Sequence, residues 1–173
     1  MRYRVSGGTL TVQARSRIHD TTTVWNRITG EILADPDALP LALADMGPGG
    51  TSARFEVDMT AFDTGDFLKN RKLRKDFDLD RHPRAEFELT ALRSVVRTGT
   101  TFTATAVGTL SWRGKRIELT LAGRGTLDAM RVEASAAFDL DIRRLGLAAP
   151  RFLIFKVEDE VTAQVAIRGT AVP

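Results

Sequence analysis

The fold is decided by residues 101–143, which read TFTATAVGTLSWRGKRIELTLAGRGTLDAMRVEASAAFDLDIR. Apolar and polar residues alternate along three successive runs within this stretch. A period of two is typical of strands that bury one face and expose the other. Arg113–Lys115 and Leu127–Met130 separate the runs, and both predict tight hairpins, as does Thr98–Thr100 just before them. The stretch therefore predicts three consecutive antiparallel strands.

The alternation continues on both sides of this stretch, although it is less clean before residue 34. Threonine is frequent on the polar faces and favours strand structure. We predict strands at residues 8–18, 22–33, 52–60, 85–97, 101–113, 116–127, 131–143 and 155–170. Eight strands joined by short turns with a common apolar face predict a closed barrel. The chain is therefore expected to be mainly all-β, a single domain over residues 1–173 built as an eight-stranded antiparallel β-barrel.

One segment, residues 65–79, has the pattern of a short amphipathic helix instead of a strand. Asp66 is a good N-cap residue. Leu73 and Phe77 are four residues apart and share a helix face, with Phe67 a little upstream. Another segment, residues 34–50, is rich in Pro, Gly and Ala and predicts a loop with one helical turn.

Composition excludes several classes of function. The chain has 173 residues, 43% hydrophobic and 27% charged, and no cysteine, so disulfides, a thiolate nucleophile and cysteine-ligated metals are impossible. Two histidines leave little material for a metal cluster, and we predict neither a metal nor a cofactor. A formal charge of +3 lacks the dense positive field of a nucleic-acid binder, so no nucleic-acid partner is expected.

Catalytic motifs are weak. Residues 76–80 open like a calcium loop, but Arg81 and Phe87 stand where an EF-hand needs Gly and Glu. No serine lies in a G-x-S-x-G motif, the nucleophile elbow of α/β-hydrolases. His19 and His82 are the remaining candidates; a turn or strand end explains His19, and a helix exit before Pro83 explains His82.

Residues 69–84 concentrate seven Lys and Arg side chains. Three explanations stay open: a solvated helix face, a site for an anionic head group at the mouth of the barrel, or a nucleic-acid contact. The last lacks interleaved aromatic residues for base stacking.

Small residues stand in the middle of the apolar faces of two strands, where Ala104 and Ala106 lie on one and Ala134 and Ala136 on the other. An eight-stranded barrel either fills its interior with large side chains or holds one small ligand. The pattern is compatible with an apolar cavity and with a filled core. Whether residues 34–50 would gate such a cavity stays open.

The first residues alternate and contain no continuous apolar region, so no signal peptide is predicted. No window approaches the length of a membrane-spanning helix, and stable membrane insertion is not expected. As written, the chain is expected in the cytoplasm; a leader trimmed from it would make it periplasmic.

Three pieces of the sequence resemble the YceI family, the lipocalin-like bacterial lipid-binding barrels. Residues 61–92 are similar to the family's run from a strand through a helix to a Pro-x-x-x-Phe motif. Residues 107–121 are similar to its G-x-L-x-x-x-G hairpin, and residues 137–147 to a late strand that ends in Arg and Gly. The resemblance covers nearly the whole chain.

This resemblance implies an elongated antiparallel barrel that binds a long apolar molecule, such as a polyisoprenoid, a quinone or a fatty-acid derivative, without catalysis. Sequestration or transport of such a lipid is the function it implies. Strand parity places seven predicted ligand-binding residues on the lining: Phe55, Phe87, Phe102, Leu110, Trp112, Phe138 and Leu140. Arg71, Arg74 and Arg143 are predicted to face a polar head group.

Two alternatives to lipid binding stay open. One is an enzyme that uses His19, His82 or a buried acid on a lipid-like substrate in the same barrel. The other is a filled barrel that serves as a structural or interaction module, with a homodimer as one form.

Overall fold

The computed structural model describes residues 1–37, 50–149, 151–152 and 155–173. Most of the predicted loop at residues 34–50 lies outside the described residues. The strands are β1 (Arg2–Ser16), β2 (Thr21–Trp25), β3 (Ile28–Leu33), β4 (Ser52–Asp58), β5 (Phe62–Asp63), β6 (Arg84–Thr98), β7 (Thr101–Trp112), β8 (Lys115–Leu127), β9 (Arg131–Asp141), β10 (Arg151–Phe152) and β11 (Phe155–Val172). The described residues also form one α-helix, α1 (Phe67–Asp76), and a 3₁₀ turn at Ile142–Leu145.

All strand pairs are antiparallel, and pairing of β1 with β11 closes the sheet into a barrel of eight strands. Going round, the order is β1, β3, β4, β6, β7, β8, β9 and β11. β2 continues the line of β3, because β3 pairs with Arg2–Val5 of β1 and β2 pairs with Leu10–Ala14 of the same strand. The short β5 and β10 pair with β2 and β11. The predicted eight-stranded antiparallel barrel is confirmed.

β1 starts at Arg2, six residues before its predicted start at residue 8. The prediction missed these residues because the register of β1 shifts after Val5. Tyr3 and Val5 face inward at odd positions, and Leu10 and Val12 face inward at even ones. The change of parity falls at an irregularity between Val5 and Gly7. Such a bulge adds one residue to a strand and reverses the faces that follow, so the alternation is interrupted in the sequence although the strand continues.

The predicted hairpins form as expected. Arg113 and Gly114 connect β7 to β8 with φ of 55° and 72°, as a two-residue turn of the primed type requires. Gly99, with φ of 61°, lies in the turn between β6 and β7. Asp128 organises the turn between β8 and β9, since its Oδ1 accepts from the backbone N–H groups of Met130 at 2.7 Å and Arg131 at 2.8 Å.

α1 begins as predicted, with the Asp66 carboxylate accepting from the N–H groups of Leu68 at 2.8 Å and Lys69 at 3.1 Å. It is shorter than the predicted helix over 65–79, because Phe77 starts a turn in which Asp78 adopts a φ of 51°. Leu73 and Phe77 are buried as expected. Phe67 does not join them: it is 77% exposed, because it lies on the opposite side of the helix from Leu73.

The two ends of the barrel differ. The α1 end holds α1, the Arg113–Gly114 turn and the 3₁₀ turn at Ile142–Leu145, and its side chains pack around Trp25, Trp112 and Leu145. The far end holds the turns at Gly99 and Asp128 together with both ends of the described chain, which meet through β1 and β11. Tyr3 is fully buried there and donates from its hydroxyl to the carbonyl of Asp128 at 2.6 Å.

Three phenylalanine rings of the barrel interior each lie over a glycine of a neighbouring strand. A Cβ atom added to Gly125 would lie 2.9 Å from the Cα of Ala134 and 3.0 Å from the Cζ of Phe102, and would also meet the carbonyl oxygen of Glu133. Because glycine has no side chain, the ring rests against the wall and does not project into the interior. The pairs are Phe55 with Gly30, Phe87 with Gly108 and Phe102 with Gly125.

β8 offers a matched test of this packing, because Gly123 faces the same interior two residues before Gly125. A Cβ on Gly123 would meet only the carbonyl oxygens of Ala104 at 3.5 Å and Ser135 at 3.8 Å, which are ordinary contacts. We expect Gly125→Ala to lower the free energy of unfolding by about 1–3 kcal/mol through overpacking. Gly123→Ala should raise it by about 0.4–1 kcal/mol, because alanine restricts the unfolded chain. Urea unfolding measures both, and equal effects would contradict the packing described.

Candidate functional site

The barrel contains a cavity of about 300 Å³, and the described residues that line it present an apolar surface. Inward side chains from all eight strands of the barrel contribute to its lining, together with residues of β2 and of both ends. Pockets that hold small molecules have volumes of about 300–1,000 Å³ and are mostly apolar. The cavity therefore has the size and chemistry of a site for an apolar guest.

The cavity lies between two packed clusters of side chains, one at each end of the barrel. Trp25, Leu73 and Trp112 belong to the cluster at the α1 end, and Tyr3 and Leu127 to the cluster at the far end. Lining residues in the middle of the strands are only half-buried although they face inward, because the cavity leaves part of their surface uncovered. These half-buried lining residues include Leu10, Phe55, Val57, Phe87, Leu89, Phe102, Ala104, Ala106, Leu110, Ala134, Ala136, Phe138 and Val165.

The space exists because one side of the barrel is built from small residues. Ala104 of β7 pairs with Gly123 of β8, which in turn pairs with Ala136 of β9. Ala106 and Ala134 flank this row on the same inward faces. We call these five residues the small-residue wall. The sequence was equally compatible with an apolar cavity and with a filled core, and the described residues line a cavity.

All seven apolar residues predicted to bind ligand line this cavity. Phe55 and Phe87 stack across β4 and β6 with ring centroids 6.4 Å apart. Phe77 packs edge-on against Trp112 at the α1 end, at 6.4 Å. The indole N–H of Trp112 donates to the carbonyl of His82 at 3.0 Å, so its polar atom is satisfied and the ring presents only carbon to the interior. Binding of a ligand by these residues stays a prediction.

Trp25 also lines the cavity, and sequence reasoning missed it. Its indole N–H donates to the carbonyl of Met59 at 3.1 Å. The inward face of β2 carries Thr21 and Thr23 beside Trp25, and both threonines are buried. Polar residues on the buried face remove the apolar alternation. Trp25 lies on the same face of the strand as Thr21 and Thr23, and this large apolar residue was the sequence feature that could have identified the buried face.

The three arginines predicted to face a head group do not line the cavity. Arg74 pairs with Asp80 at 2.6 Å, donates to the carbonyl of Thr60 at 3.2 Å and lies 5.5 Å above the ring of Phe62. Arg71 is exposed on α1. The structure thus places Arg71 and Arg74 at the α1 end, outside the lining.

Arg143 belongs to the 3₁₀ turn and pairs with Asp141 at 2.6 Å. Hydrogen bonds from this guanidinium and from the Arg143 backbone N–H hold the pKa of Asp141 below its ordinary value. The same carboxylate raises the pKa of Arg143. Contact of any of the three arginines with a head group stays a prediction.

The weaker chemical candidates lie outside the cavity lining. The Nε2 atom of His19 is 3.2 Å from the Nζ of Lys69, and both are on the outer surface. His82 contributes its backbone carbonyl to Trp112, as described. Residues 76–80 place their aspartates in separate ion pairs, with Lys72, Arg81 and Arg74. Among the described residues, no group of three or more His, Asp or Glu side chains could hold a metal ion.

A comparison with protein-family models matches residues 6–169 to the YceI-like domain. The chain belongs to the YceI-like domain family. The resemblance drawn from residues 61–92, 107–121 and 137–147 is confirmed. A search of curated proteins finds no matching sequence. Within the described residues, this YceI-like chain has no helix that is long and apolar enough to cross a membrane.

Solved structures share the YceI-like barrel at low identity. The polyisoprenoid-binding domain from Saccharophagus degradans, implicated in plant cell wall breakdown, superposes with a TM-score of 0.76 at 13% identity, over 98% of each chain. BcnA of Burkholderia cenocepacia gives 0.71 at 18% identity, over 93% of this chain and 95% of its own. The Campylobacter jejuni YCEI protein gives 0.62 at 12% identity, over 91% and 88%. At these identities the matches establish the fold.

Neighbouring alanines on β9 provide a test of the cavity, because Ala136 faces inward and Ala137 is exposed on the outer face. In protein freed of lipid by solvent extraction and refolding, Ala136→Leu should fill empty space. Three added carbons buried at about 0.8 kcal/mol each contribute about 2 kcal/mol, which raises Tm by about 4–8 °C. Ala137→Leu should change stability by less than about 0.5 kcal/mol. Calorimetry measures both, and a fall in Tm for Ala136→Leu would show that the interior is already filled.

Proposed function

We propose that this YceI-like chain binds the apolar part of an amphiphilic lipid inside the barrel and sequesters or carries it without catalysis. The observation that carries the proposal is the cavity itself. The described residues that line it expose no polar atom, so a polar guest would lose its hydrogen bonds to water without replacement, whereas an apolar guest would not. The small-residue wall supports the same proposal, because larger residues at those five positions would close the space.

The energy available from such a guest is large. Each buried CH₂ contributes about 0.8 kcal/mol, so a chain of about ten carbons gains about 8 kcal/mol before the costs of binding. No polar anchor is needed at that scale. Ring faces at Phe55, Phe87 and Phe102 offer broad contact area, since each ring rests against a glycine and leaves room beside it.

Three classes of guest suit an extended apolar interior: a polyisoprenoid, a quinone with an isoprenoid tail and a fatty-acid derivative. The Saccharophagus degradans neighbour is a polyisoprenoid-binding domain, and this favours the first class. Catalysis on the same guest would need His19, His82 or an acid near it, and these histidines do not contribute to the lining. Binding is therefore the function that the geometry supports best.

Extraction of the purified protein with organic solvent, followed by mass spectrometry, identifies the guest. We expect a prenyl or acyl lipid in an amount comparable with that of the protein. Titration with a fluorescent fatty acid then measures affinity. Ala136→Leu should weaken binding about thirtyfold to sixtyfold, since it takes the space of about three carbons, while Ala137→Leu should bind like the parent chain. An empty extract together with no binding of the probe by the parent chain would overturn the proposal.

The head-group role of the arginines has its own test. An arginine that contacts a carboxylate makes a charge-assisted hydrogen bond of about 1.5–3 kcal/mol. We expect at least one of Arg71→Gln, Arg74→Gln and Arg143→Gln to weaken binding of a fatty acid about tenfold or more. Binding of the alcohol of the same length should not change. Arg168→Gln, on the outer face of β11, serves as the control. Equal loss for acid and alcohol, or no loss in any variant, would remove the arginines from the site.

A further inference from the structure

The outward face of α1 has an unusual composition. Successive residues of an α-helix are about 100° apart, so Phe67, Leu68, Arg71 and Lys75 all lie on the side opposite the buried Leu73. Lys72 lies at the edge of the same side. The outward side of a surface helix normally carries polar residues. Here it combines two large apolar side chains with cations and no carboxylate, since the nearest acid on the helix, Asp76, is at its margin and pairs with Lys72 at 2.9 Å.

The apolar residues are almost fully exposed. Phe67 exposes 77% of its surface and Leu68 73%. Ile18, at 59%, lies in the segment after β1 that meets the start of α1, where the ring of His19 is 3.2 Å from the Nζ of Lys69. Ile18, Phe67 and Leu68 thus all lie at the α1 end of the barrel with most of their surface exposed. An exposed apolar patch of this kind marks an interaction site more often than single exposed residues do.

Cations surround these side chains. Arg17, Arg71 and Lys75 are exposed and make no ion pair with the described residues. Two nearby carboxylates are held by neutral donors and keep their negative charge: Asp66 caps α1, and Asp63 accepts hydrogen bonds from Asn70 and from the backbone of Gly65, both at 2.9 Å. Asp20, which follows His19 in the segment after β1, is also exposed. We call Arg17, Ile18, Phe67, Leu68, Arg71 and Lys75 the docking face.

We propose that the docking face binds the surface of a bilayer that contains anionic lipids. Exposed aromatic and aliphatic side chains enter the boundary between head groups and acyl chains, and neighbouring Lys and Arg side chains pair with anionic head groups. The cations of the docking face favour an anionic bilayer over a neutral one. The docking face lies on the outside of the barrel and shares only Arg71 with the residues tested for head-group contact, so docking and lipid binding in the cavity can fail independently.

The end of the barrel that carries the docking face also closes one end of the cavity. Leu73, on the opposite side of α1, packs in the same cluster as Trp112, which lines the cavity. A membrane bound at the docking face would therefore lie one helix thickness from the cavity's end. Such a position suits a protein whose guest is a membrane lipid.

Sedimentation with vesicles tests the proposal in the full chain. One set of vesicles contains phosphatidylcholine alone, and the other contains equal parts of phosphatidylcholine and phosphatidylglycerol. We expect binding to the anionic vesicles only, weakened by added salt. Arg17→Gln/Lys75→Gln removes two cations that each contribute about fivefold near an anionic surface, so affinity should fall about thirtyfold.

Phe67→Ala/Leu68→Ala removes the apolar contacts and keeps good helix formers in the first turn of α1, so Tm should not change. Its affinity for the anionic vesicles should fall at least about tenfold. Val96→Ala/Met130→Ala is the matched control, because these side chains are 63% and 70% exposed at the far end of the barrel. We expect its binding to match that of the parent chain.

Three outcomes would overturn the docking proposal. The first is equal binding to both kinds of vesicle. The second is a loss in the far-end control as large as in the Phe67/Leu68 variant. The third is self-association of the parent chain in analytical ultracentrifugation that Phe67→Ala/Leu68→Ala abolishes, because the face would then bind a second copy of the chain. Titration of each docking variant with the fluorescent fatty acid reports on the cavity separately.

Discussion

Pairing between β1 and β11 is the interaction on which the rest of the structure depends. It joins Arg2 to Val172 at one end and Ser16 to Val157 at the other, so the first strand and the last become neighbours. Without it the sheet would have two long edges, each with unpaired N–H and C=O groups. Closure satisfies those groups within the backbone, and the interior then has no need of polar side chains. An entirely apolar cavity is compatible with the fold for this reason.

Closure also limits the volume of the interior, and the sizes of the inward side chains decide which part of that volume is filled. Large rings at Phe55, Phe87 and Phe102 would project to the axis if their cross-strand neighbours carried side chains. Glycine beneath each ring lets it lie along the wall, and the small-residue wall of β7, β8 and β9 keeps part of the interior clear. The cavity is therefore a consequence of specific pairs of large and small residues across β-strands.

Much of this could be predicted from sequence, and the failures share a physical cause. Alternation located all eight strands of the barrel wherever the strands are regular. It broke down at the bulge after Val5, where parity reverses, and on β2, where buried threonines accompany Trp25. A period of two reports which face a residue occupies only while the register holds, and register is set by pairing with distant strands.

The helix shows a different limit. Spacing assigned Leu73 and Phe77 to the buried face correctly, but it grouped Phe67 with them because all three are apolar. The structure turns Phe67 outward. The arginines show the same limit, since spacing identified a basic segment without revealing that Arg74 pairs with Asp80 while Arg71 makes no ion pair with the described residues. The local pattern predicts where a helix forms, but contacts with the rest of the fold decide which of its side chains are buried and which are exposed.

An open apolar cavity has a cost that links the inside of the barrel to its surroundings. Empty apolar space destabilises a core, because the side chains that line it lose packing contacts. A guest that fills the space recovers much of this energy, and it stabilises the folded chain further by mass action. We therefore expect a guest of the proposed kind to stabilise the barrel, because it would fill the space that the small-residue wall leaves.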